Sequence, residues 1–236
     1  MTDPKRAFYL CKNSTLRDIR AVARIRGADL IIATPTINMA KLREVNTTAT
    51  VLAYYDMTTV PAYGSVDGWY GDFRIAMVHH TIDHGAVKNS YGNMELQLTF
   101  DAYNALARWI NDNTVAEEFD GLYLDQCWAW PPKGWIKNTG RVAFETRKRW
   151  QYIRDYFILQ LHQDAIVGNV GRIQLGDDPD RLEWLSGITV EDPHIDNPDV
   201  ERETIRAFTR THQPNLCVRW GGIGYAGLCM TGEIWA

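Results

Sequence analysis

Acidic side chains stand at the ends of several short apolar runs in this 236-residue sequence. Asp125 ends the run GLYLD (121–125), and Glu191 and Asp192 follow the run GITV. Two carboxylates across a cleft can cleave a glycosidic bond, because one protonates the leaving oxygen while the other attacks the anomeric carbon or activates water. Asp192 precedes a proline and is more typical of a turn, so Asp125 and Glu191 are the predicted catalytic pair.

Each of these acids also has a purely structural interpretation. Asp125 could cap the helix that follows, although the sequence PPKGW intervenes before the predicted helix 141–162. Glu191 could be a surface carboxylate or the ion-pair partner of an arginine. Asp56, at the end of the run TVLAYYD, either orients a substrate or starts a turn.

Aromatic and amide side chains accompany the acids. The chain has nine tryptophans and eleven tyrosines, and the flat faces of such rings stack on the C–H faces of pyranoses. The residues predicted to bind substrate lie within or just after apolar runs: Tyr54, Asp56, Trp128, Trp130, Asn169 and Trp220. Trp128 and Trp130 either wall the sugar subsites or pack against the rim of the fold.

The elements that position these residues follow from an alternation of apolar runs with helical patterns. The runs predict eight strands, at 7–11, 28–34, 50–56, 121–125, 164–171, 187–192, 215–220 and 227–233. Runs that are apolar on both faces favour a parallel sheet covered by helices. The alternation and the length predict one α/β domain over residues 1–236, a (β/α)8 TIM barrel whose last helix is missing or shortened.

The barrel prediction explains why strand ends matter, because the carboxyl ends of its strands converge on one cleft. A doubly wound sheet is the alternative. Its usual phosphate-binding fingerprint is missing, since GGIGYAG (221–227) is followed by no helical pattern.

The predicted helices show apolar residues at helical spacing. The first carries Leu16, Ile19, Val22 and Ile25 on one face, with Asn13 or Ser14 as its cap. The later ones are marked by Tyr103, Leu106 and Ile110, by Trp150, Ile153, Phe157 and Leu161, and by Ile205 and Phe208.

A long insertion, 58–99, separates the third strand from the next helix, and such a loop is usually functional or contains its own hairpin. It holds His79, His80 and His84 beside Asp83, which resemble a metal cluster. Their spacing matches no known ligand motif, so loop histidines that touch substrate are favoured. The sequence therefore predicts no metal and no other cofactor.

Several classes of protein are disfavoured by composition. The net charge of -4 indicates no nucleic-acid partner, and no run approaches the roughly 18 apolar residues of a membrane span. The first residues form no secretory signal, so two alternatives remain for its location: a cytoplasmic protein, and a virus-encoded or released protein. None of the four cysteines (Cys11, Cys127, Cys217 and Cys229) has CxxC spacing, which favours buried free thiols.

The block FDGLYLDQCW (119–128) resembles one found in TIM-barrel glycoside hydrolases of family 114, the endo-α-1,4-polygalactosaminidase-like enzymes, and in related hypothetical glycosyl hydrolase families. The runs ADLIIAT, TVLAYYD, FDGLYLD, IVGNVG and GITVED follow in the same order, so the resemblance covers residues 7–192. It implies hydrolysis by Asp125 and Glu191, with a retaining mechanism favoured. The sequence QCWAWPP, which directly follows Asp125, departs from the family pattern. The resemblance therefore does not identify the substrate.

The sequence thus predicts a glycosidase acting on a polysaccharide or oligosaccharide, with an amino-sugar polymer as one candidate. Asp125 is the nucleophile or transition-state stabiliser and Glu191 the general acid/base, or the two roles are exchanged. Three alternatives remain: a carbohydrate-binding barrel without turnover, a metal-dependent hydrolase or lyase built on the histidines, and a structural or virion-associated protein.

Overall fold

The computed structural model describes residues 6–60, 94–96, 98–114, 118–127, 141–163, 165–171, 185–190, 216–220 and 230–235. The chain divides into two compact units. The first comprises Met1–Tyr55, Thr114–Cys127 and Gln163–Ala236, and the second comprises Asp56–Asn113 and Trp128–His162. The expectation of a single domain stays a prediction.

The described strands are β1 (Arg6–Cys11), β2 (Leu30–Ala33), β3 (Thr50–Asp56), β4 (Thr59–Val60), β5 (Met94–Glu95), β6 (Gly121–Asp125), β7 (Ile166–Gly171), β8 (Gly187–Val190), β9 (Leu216–Trp220) and β10 (Met230–Trp235). The described helices are α1 (Ile19–Arg26), α2 (Met39–Val45), α3 (Phe100–Asn113) and α4 (Arg141–Leu159). The predicted helix around Ile205 and Phe208 lies outside the described residues.

The strands of the first unit form one sheet in the order β1-β10-β9-β8-β7-β6-β3-β2, and β2 pairs with β1, so the sheet closes on itself. Pairing is parallel from β1 to β2 to β3 and from β6 through β9. The predicted parallel α/β arrangement is confirmed. β10 instead runs antiparallel to both β1 and β9, which departs from the (β/α)8 pattern, and a complete TIM barrel stays a prediction.

Continuous apolar runs located the parallel strands well, because a strand buried on both faces is apolar at every position. The bounds of β3 and β6 agree with the predicted ones to the residue, and all four residues of β2 are buried. The last strand is described from Met230 to Trp235, and residues 227–229 of the predicted run lie outside the described residues.

The start of α1 differs from the prediction. A short 3-10 turn spans Thr15–Arg17, and the α-helix begins only at Ile19. Asp18 is the cap, because its Oδ1 accepts the backbone N–H groups of Arg20 at 2.8 Å and Ala21 at 3.4 Å. Ser14 makes no side-chain cap bond, so its predicted role is wrong.

The buried face of α1 also shifts. Ala21 and Ile25 are buried, whereas Ile19 is 86% exposed. The predicted periodicity ran through the 3-10 turn, whose shorter turn breaks the 3.6-residue phase. Asn13 has another role than the predicted cap: its amide donates to the carbonyl of Thr36 at 2.9 Å and its Oδ1 accepts the N–H of Asn38 at 2.8 Å.

In the second unit, α3 and α4 pack against each other through the apolar positions that the sequence predicted. Among the buried residues are Tyr103, Leu106, Ile110, Trp150, Ile153 and Phe157. The ring of Tyr103 meets Trp150 and Phe157 edge to face at centroid distances of 5.9 and 5.6 Å, and its hydroxyl donates to the carbonyl of Met57 at 2.9 Å. These contacts give the unit an aromatic core.

The two ends of the 58–99 insertion pair as a small antiparallel sheet, with Thr59 opposite Glu95 and Val60 opposite Met94. Residues 61–93, including the predicted histidine cluster, lie outside the described part of the chain. Among the described helices, none is both long and apolar enough to cross a membrane.

Candidate functional site

The inner face of the closed sheet changes from apolar to polar toward the carboxyl ends of its strands. An apolar cluster is formed by Ala7, Leu30, Ile32, Leu52, Tyr123 and Val167. Because side chains in a strand alternate between faces, the residue two positions further along points to the same side. That step leads from the cluster to Tyr9 on β1, Tyr54 on β3, Asp125 on β6 and Asn169 on β7.

The carboxylate of Asp125 is the centre of this polar group and accepts four hydrogen bonds. Its Oδ1 accepts the side-chain amide of Asn169 and the backbone N–H of Gln126, both at 2.8 Å. Its Oδ2 accepts the hydroxyls of Tyr54 at 2.6 Å and Tyr9 at 3.3 Å. Four donors from separate strands and from the following turn therefore fix both the position and the orientation of this carboxylate.

Three tyrosine rings support the carboxylate. Tyr54 and Tyr123 stack with centroids 5.9 Å apart and an interplanar angle of 19°. Tyr9 meets Tyr54 and Tyr123 edge-on at 5.9 and 5.7 Å. Such aromatic contacts add to the burial energy and restrict the ring orientations, so the two phenol groups are held where they meet Asp125.

The chain turns sharply after Asp125. Gln126 has φ of 61°, in the left-handed region, where a residue with a side chain is destabilised by about 1–2 kcal/mol. In this conformation its N–H donates to the Asp125 carboxylate. Strained backbone of this kind is found preferentially at functional sites, so the turn supports a role for Asp125 beyond ending the strand.

The two oxygens of Asp125 differ in the exposure of their donors. Asn169, which bonds Oδ1, is fully buried. Tyr9 and Tyr54, which bond Oδ2, are partly exposed, as is Asp125 itself. Oδ2 therefore lies on the more accessible side of the carboxylate.

The residues that follow β6 pack closely against β7. A Cβ atom on Gly168 would lie 2.7 Å from Cδ1 of Leu185 and 3.1 Å from Sγ of Cys127, so only glycine fits without displacement of its neighbours. Cys127 follows Asp125 by two residues, and Gly168 precedes Asn169. Cys11 and Cys127 are both buried free thiols, as the sequence predicted.

On the other face of β3, the fully buried Tyr55 shares a hydrogen bond of 2.5 Å with the hydroxyl of Thr114. Burial raises the pKa of Tyr55 to about 12, and the bond with Thr114 lowers it in part. This contact anchors β3 next to Tyr54.

One polar group at the end of β2 has no such contact. Thr34 is fully buried, and in the described structure its hydroxyl oxygen has no hydrogen-bond partner.

The remaining predicted residues are placed as follows. Asp56 is buried and its carboxylate accepts the N–H and the hydroxyl of Thr58 at 2.8 and 3.1 Å, the geometry of a local turn. Trp220 is the last residue of β9, two positions beyond Val218, which pairs with Thr189. The other three predicted residues, Trp128, Trp130 and Glu191, lie outside the described residues.

Sequence reasoning missed Tyr9, Tyr123 and Gln126. The signal for the two tyrosines was present, because each belongs to an apolar strand at an inward position of the period-two alternation. The predictions named Tyr54 and Asn169 at such inward positions, but not Tyr9 on β1 or Tyr123 on β6. The left-handed conformation of Gln126 leaves no sequence signal.

Within the described part of the chain, no group of three or more His, Cys, Asp or Glu side chains is arranged to hold a metal ion. No lysine, arginine or histidine there forms an ion pair with Asp125. The described donors to its carboxylate are neutral.

No protein-family model matches the chain, and no curated protein matches it. Among solved structures, the chain is similar to Aspergillus fumigatus Ega3, crystallised in complex with galactosamine. The TM-score is 0.54 at 13% sequence identity, and the match covers 95% of this chain and 81% of the Ega3 chain. This similarity shows a distant relationship of fold.

Proposed function

We propose that the chain is a TIM-barrel-like glycoside hydrolase in which Asp125 and Glu191 act as the two catalytic carboxylates. The observation that carries the proposal is the Asp125 carboxylate, partly exposed and fixed by four donors at the carboxyl ends of parallel strands. Enzymes with this kind of fold build their active sites at that end. The sequence resemblance to family 114 and the fold shared with a galactosamine-bound protein support the same conclusion.

The hydrogen bonds favour Asp125 as the nucleophile or the stabiliser of positive charge. An ionised carboxylate is purely an acceptor, and all four groups that contact Asp125 are donors. A general acid would need a proton on one oxygen and an acceptor or a leaving group to receive it. The proposed division of roles therefore gives proton transfer to Glu191.

The backbone supports Glu191 as the partner. It follows Val190, the last residue of β8, and β8 is separated from β6 by β7 alone. Neighbouring strands lie about 4.8 Å apart, so the ends of β6 and β8 are roughly 10 Å apart. Strand ends at this spacing are compatible with the carboxyl separations that glycosidases use, about 5 Å for retention and up to about 9.5 Å for inversion. We propose the retaining course.

The substrate class proposed is a polymer or oligomer that contains an amino sugar. Asp125 has neutral donors and no ion-pair partner among the described residues, so a cationic ammonium group on the sugar would supply the missing positive charge. Tyr54 and Trp220 are proposed to contact the sugar. Asn169, which is fully buried and bonds Asp125, stays a predicted binding residue. Asp56, Trp128 and Trp130 stay predicted binding residues.

The test is a hydrolysis screen with galactosamine polymers, other amino-sugar polymers, neutral glucans and galactans. Wild type is compared with Asp125→Asn and Glu191→Gln, and with Glu44→Gln as a control that removes an exposed carboxylate of α2. We expect one polymer to be cleaved by wild type and by the control, and by neither site variant. The anomeric form of the first product, followed by NMR, distinguishes retention from inversion.

Thermal melts of all four proteins show whether the site variants are folded. Glycan binding without cleavage, retained in Asp125→Asn, would replace the proposal by a carbohydrate-binding barrel. If folded wild type neither cleaves nor binds any glycan of the panel, the proposal is refuted.

A further inference from the structure

We infer that Tyr9 is a positioning residue that acts through Oδ2 of Asp125 and chiefly assists the second chemical step, the release of the sugar from the enzyme. The inference rests on the proposed function and concerns a residue that the sequence analysis did not select. The two oxygens of the Asp125 carboxylate accept unequal hydrogen bonds.

Oδ2 is the oxygen best placed to react. Oδ1 is held by two donors at 2.8 Å, the buried amide of Asn169 and the backbone of Gln126. Oδ2 is held by two phenol groups from partly exposed residues, and a hydroxyl can rotate about its C–O bond while a backbone N–H cannot. An incoming anomeric carbon therefore meets Oδ2.

The two phenol groups are not equivalent. The bond from Tyr54 is 2.6 Å long, whereas that from Tyr9 is 3.3 Å, near the outer limit of hydrogen bonding. When Oδ2 forms a new bond it must give up part of its hydrogen bonding, and the longer bond is the one that is lost at least cost. Tyr54 thus fixes the carboxylate, and Tyr9 is the donor whose contribution changes during the reaction.

The direction of that change follows from the charge on Oδ2. In the first step, Oδ2 bonds to the anomeric carbon, the bond to the glycosidic oxygen breaks, and that oxygen takes a proton from Glu191. The negative charge on Oδ2 falls, so a donor to Oδ2 gains nothing in this step.

In the second step, the oxygen of a water molecule bonds to the anomeric carbon and its proton passes to Glu191. The bond between the anomeric carbon and Oδ2 breaks as the bond to water forms, and its electron pair returns to Asp125. Because negative charge develops on Oδ2, a phenol group aimed at this oxygen stabilises the transition state.

Tyr9→Phe removes one oxygen atom and keeps the ring that packs on Tyr54 and Tyr123. We expect the second step to slow about tenfold, the effect of losing one weak bond to a charged group. With an aryl glycoside of the oligosaccharide that wild type cleaves, kcat and KM then fall together while kcat/KM stays within about threefold of wild type. The covalent intermediate accumulates and is seen as a mass increase of the intact protein.

Two comparisons sharpen the experiment. Tyr54→Phe removes the shorter bond to the same oxygen, so we expect kcat/KM to fall as well, because the carboxylate loses its orientation for the first step. Tyr152→Phe removes an exposed hydroxyl of α4 and should leave all constants at the wild-type values.

Equal losses in kcat and kcat/KM for Tyr9→Phe, constants identical to wild type, or products of inverted configuration would each overturn this inference and leave the glycosidase proposal standing. Absence of cleavage by folded wild type would overturn both. The stated pattern of constants together with the mass increase would establish the role of Tyr9.

Discussion

We expect the free energy of unfolding to decrease at alkaline pH in part because of one residue, Tyr55. Burial raises the pKa of its phenol from 10.0 to about 12, so the folded state holds this proton more tightly than the unfolded chain. The contribution to stability is fully present below pH 10 and is lost as the pH rises from 10 to 12. At about 1.4 kcal/mol per pKa unit, the loss is on the order of 2–3 kcal/mol across this range, and about half of it is reached by pH 11.

The assay is urea unfolding followed by circular dichroism at several pH values between 8 and 11. Tyr55→Phe should lose about 1 kcal/mol at pH 8, because the hydroxyl of Thr114 loses this partner, and its stability should then fall less steeply above pH 10 than that of wild type. The difference in slope isolates Tyr55 from the other groups that titrate there. Tyr152→Phe, a change of an exposed tyrosine, should keep the wild-type slope. Equal slopes for wild type and Tyr55→Phe would refute the assignment.

Two further predictions concern the first unit and are read by the same unfolding assay. Asp18→Ala should lower the free energy of unfolding by about 1 kcal/mol, because it removes the cap of α1. Ser14→Ala should change the free energy of unfolding by less than about 0.5 kcal/mol. A larger loss for Ser14→Ala than for Asp18→Ala would contradict the observed cap. Thr34→Val should raise the free energy of unfolding by about 1–2 kcal/mol, because it replaces a buried hydroxyl without a described partner by a methyl group of similar size. A loss of stability would mean that the hydroxyl has a partner such as a buried water.

The sequence located the strands of the parallel sheet because burial on both faces requires apolar residues throughout, and β3 and β6 agree with their predicted bounds. It could not give the direction of β10, since an apolar run is compatible with parallel and antiparallel pairing. It misplaced the start of α1 because the change from 3-10 to α geometry depends on where Asp18 finds backbone N–H groups, which apolar spacing does not encode.

For the site, strand ends led to Asp125, Tyr54 and Asn169, and the structure brings these three into contact. The hydrogen bond from Tyr9 was not foreseeable, because it depends on how β1 and β6 face each other across the closed sheet. The role of Asp56 stays a prediction, although its bonds to Thr58 agree with the turn that the sequence left open.

The polar end of the inner face is hard to explain by stability alone. Apolar residues at the positions of Asp125 and Asn169 would continue the cluster below them, and exchanging a buried polar network for apolar packing is often neutral or stabilising. The chain instead keeps a fully buried amide, a strained glutamine and two phenol groups, all directed at one carboxylate. Such an arrangement fixes an acceptor in place before any ligand arrives, and preorganisation of this kind lowers a reaction barrier without adding to the stability of the fold. If the layer served the fold alone, Asp125→Asn would destabilise the protein without a specific loss of function; if it serves chemistry, the variant stays folded and loses turnover.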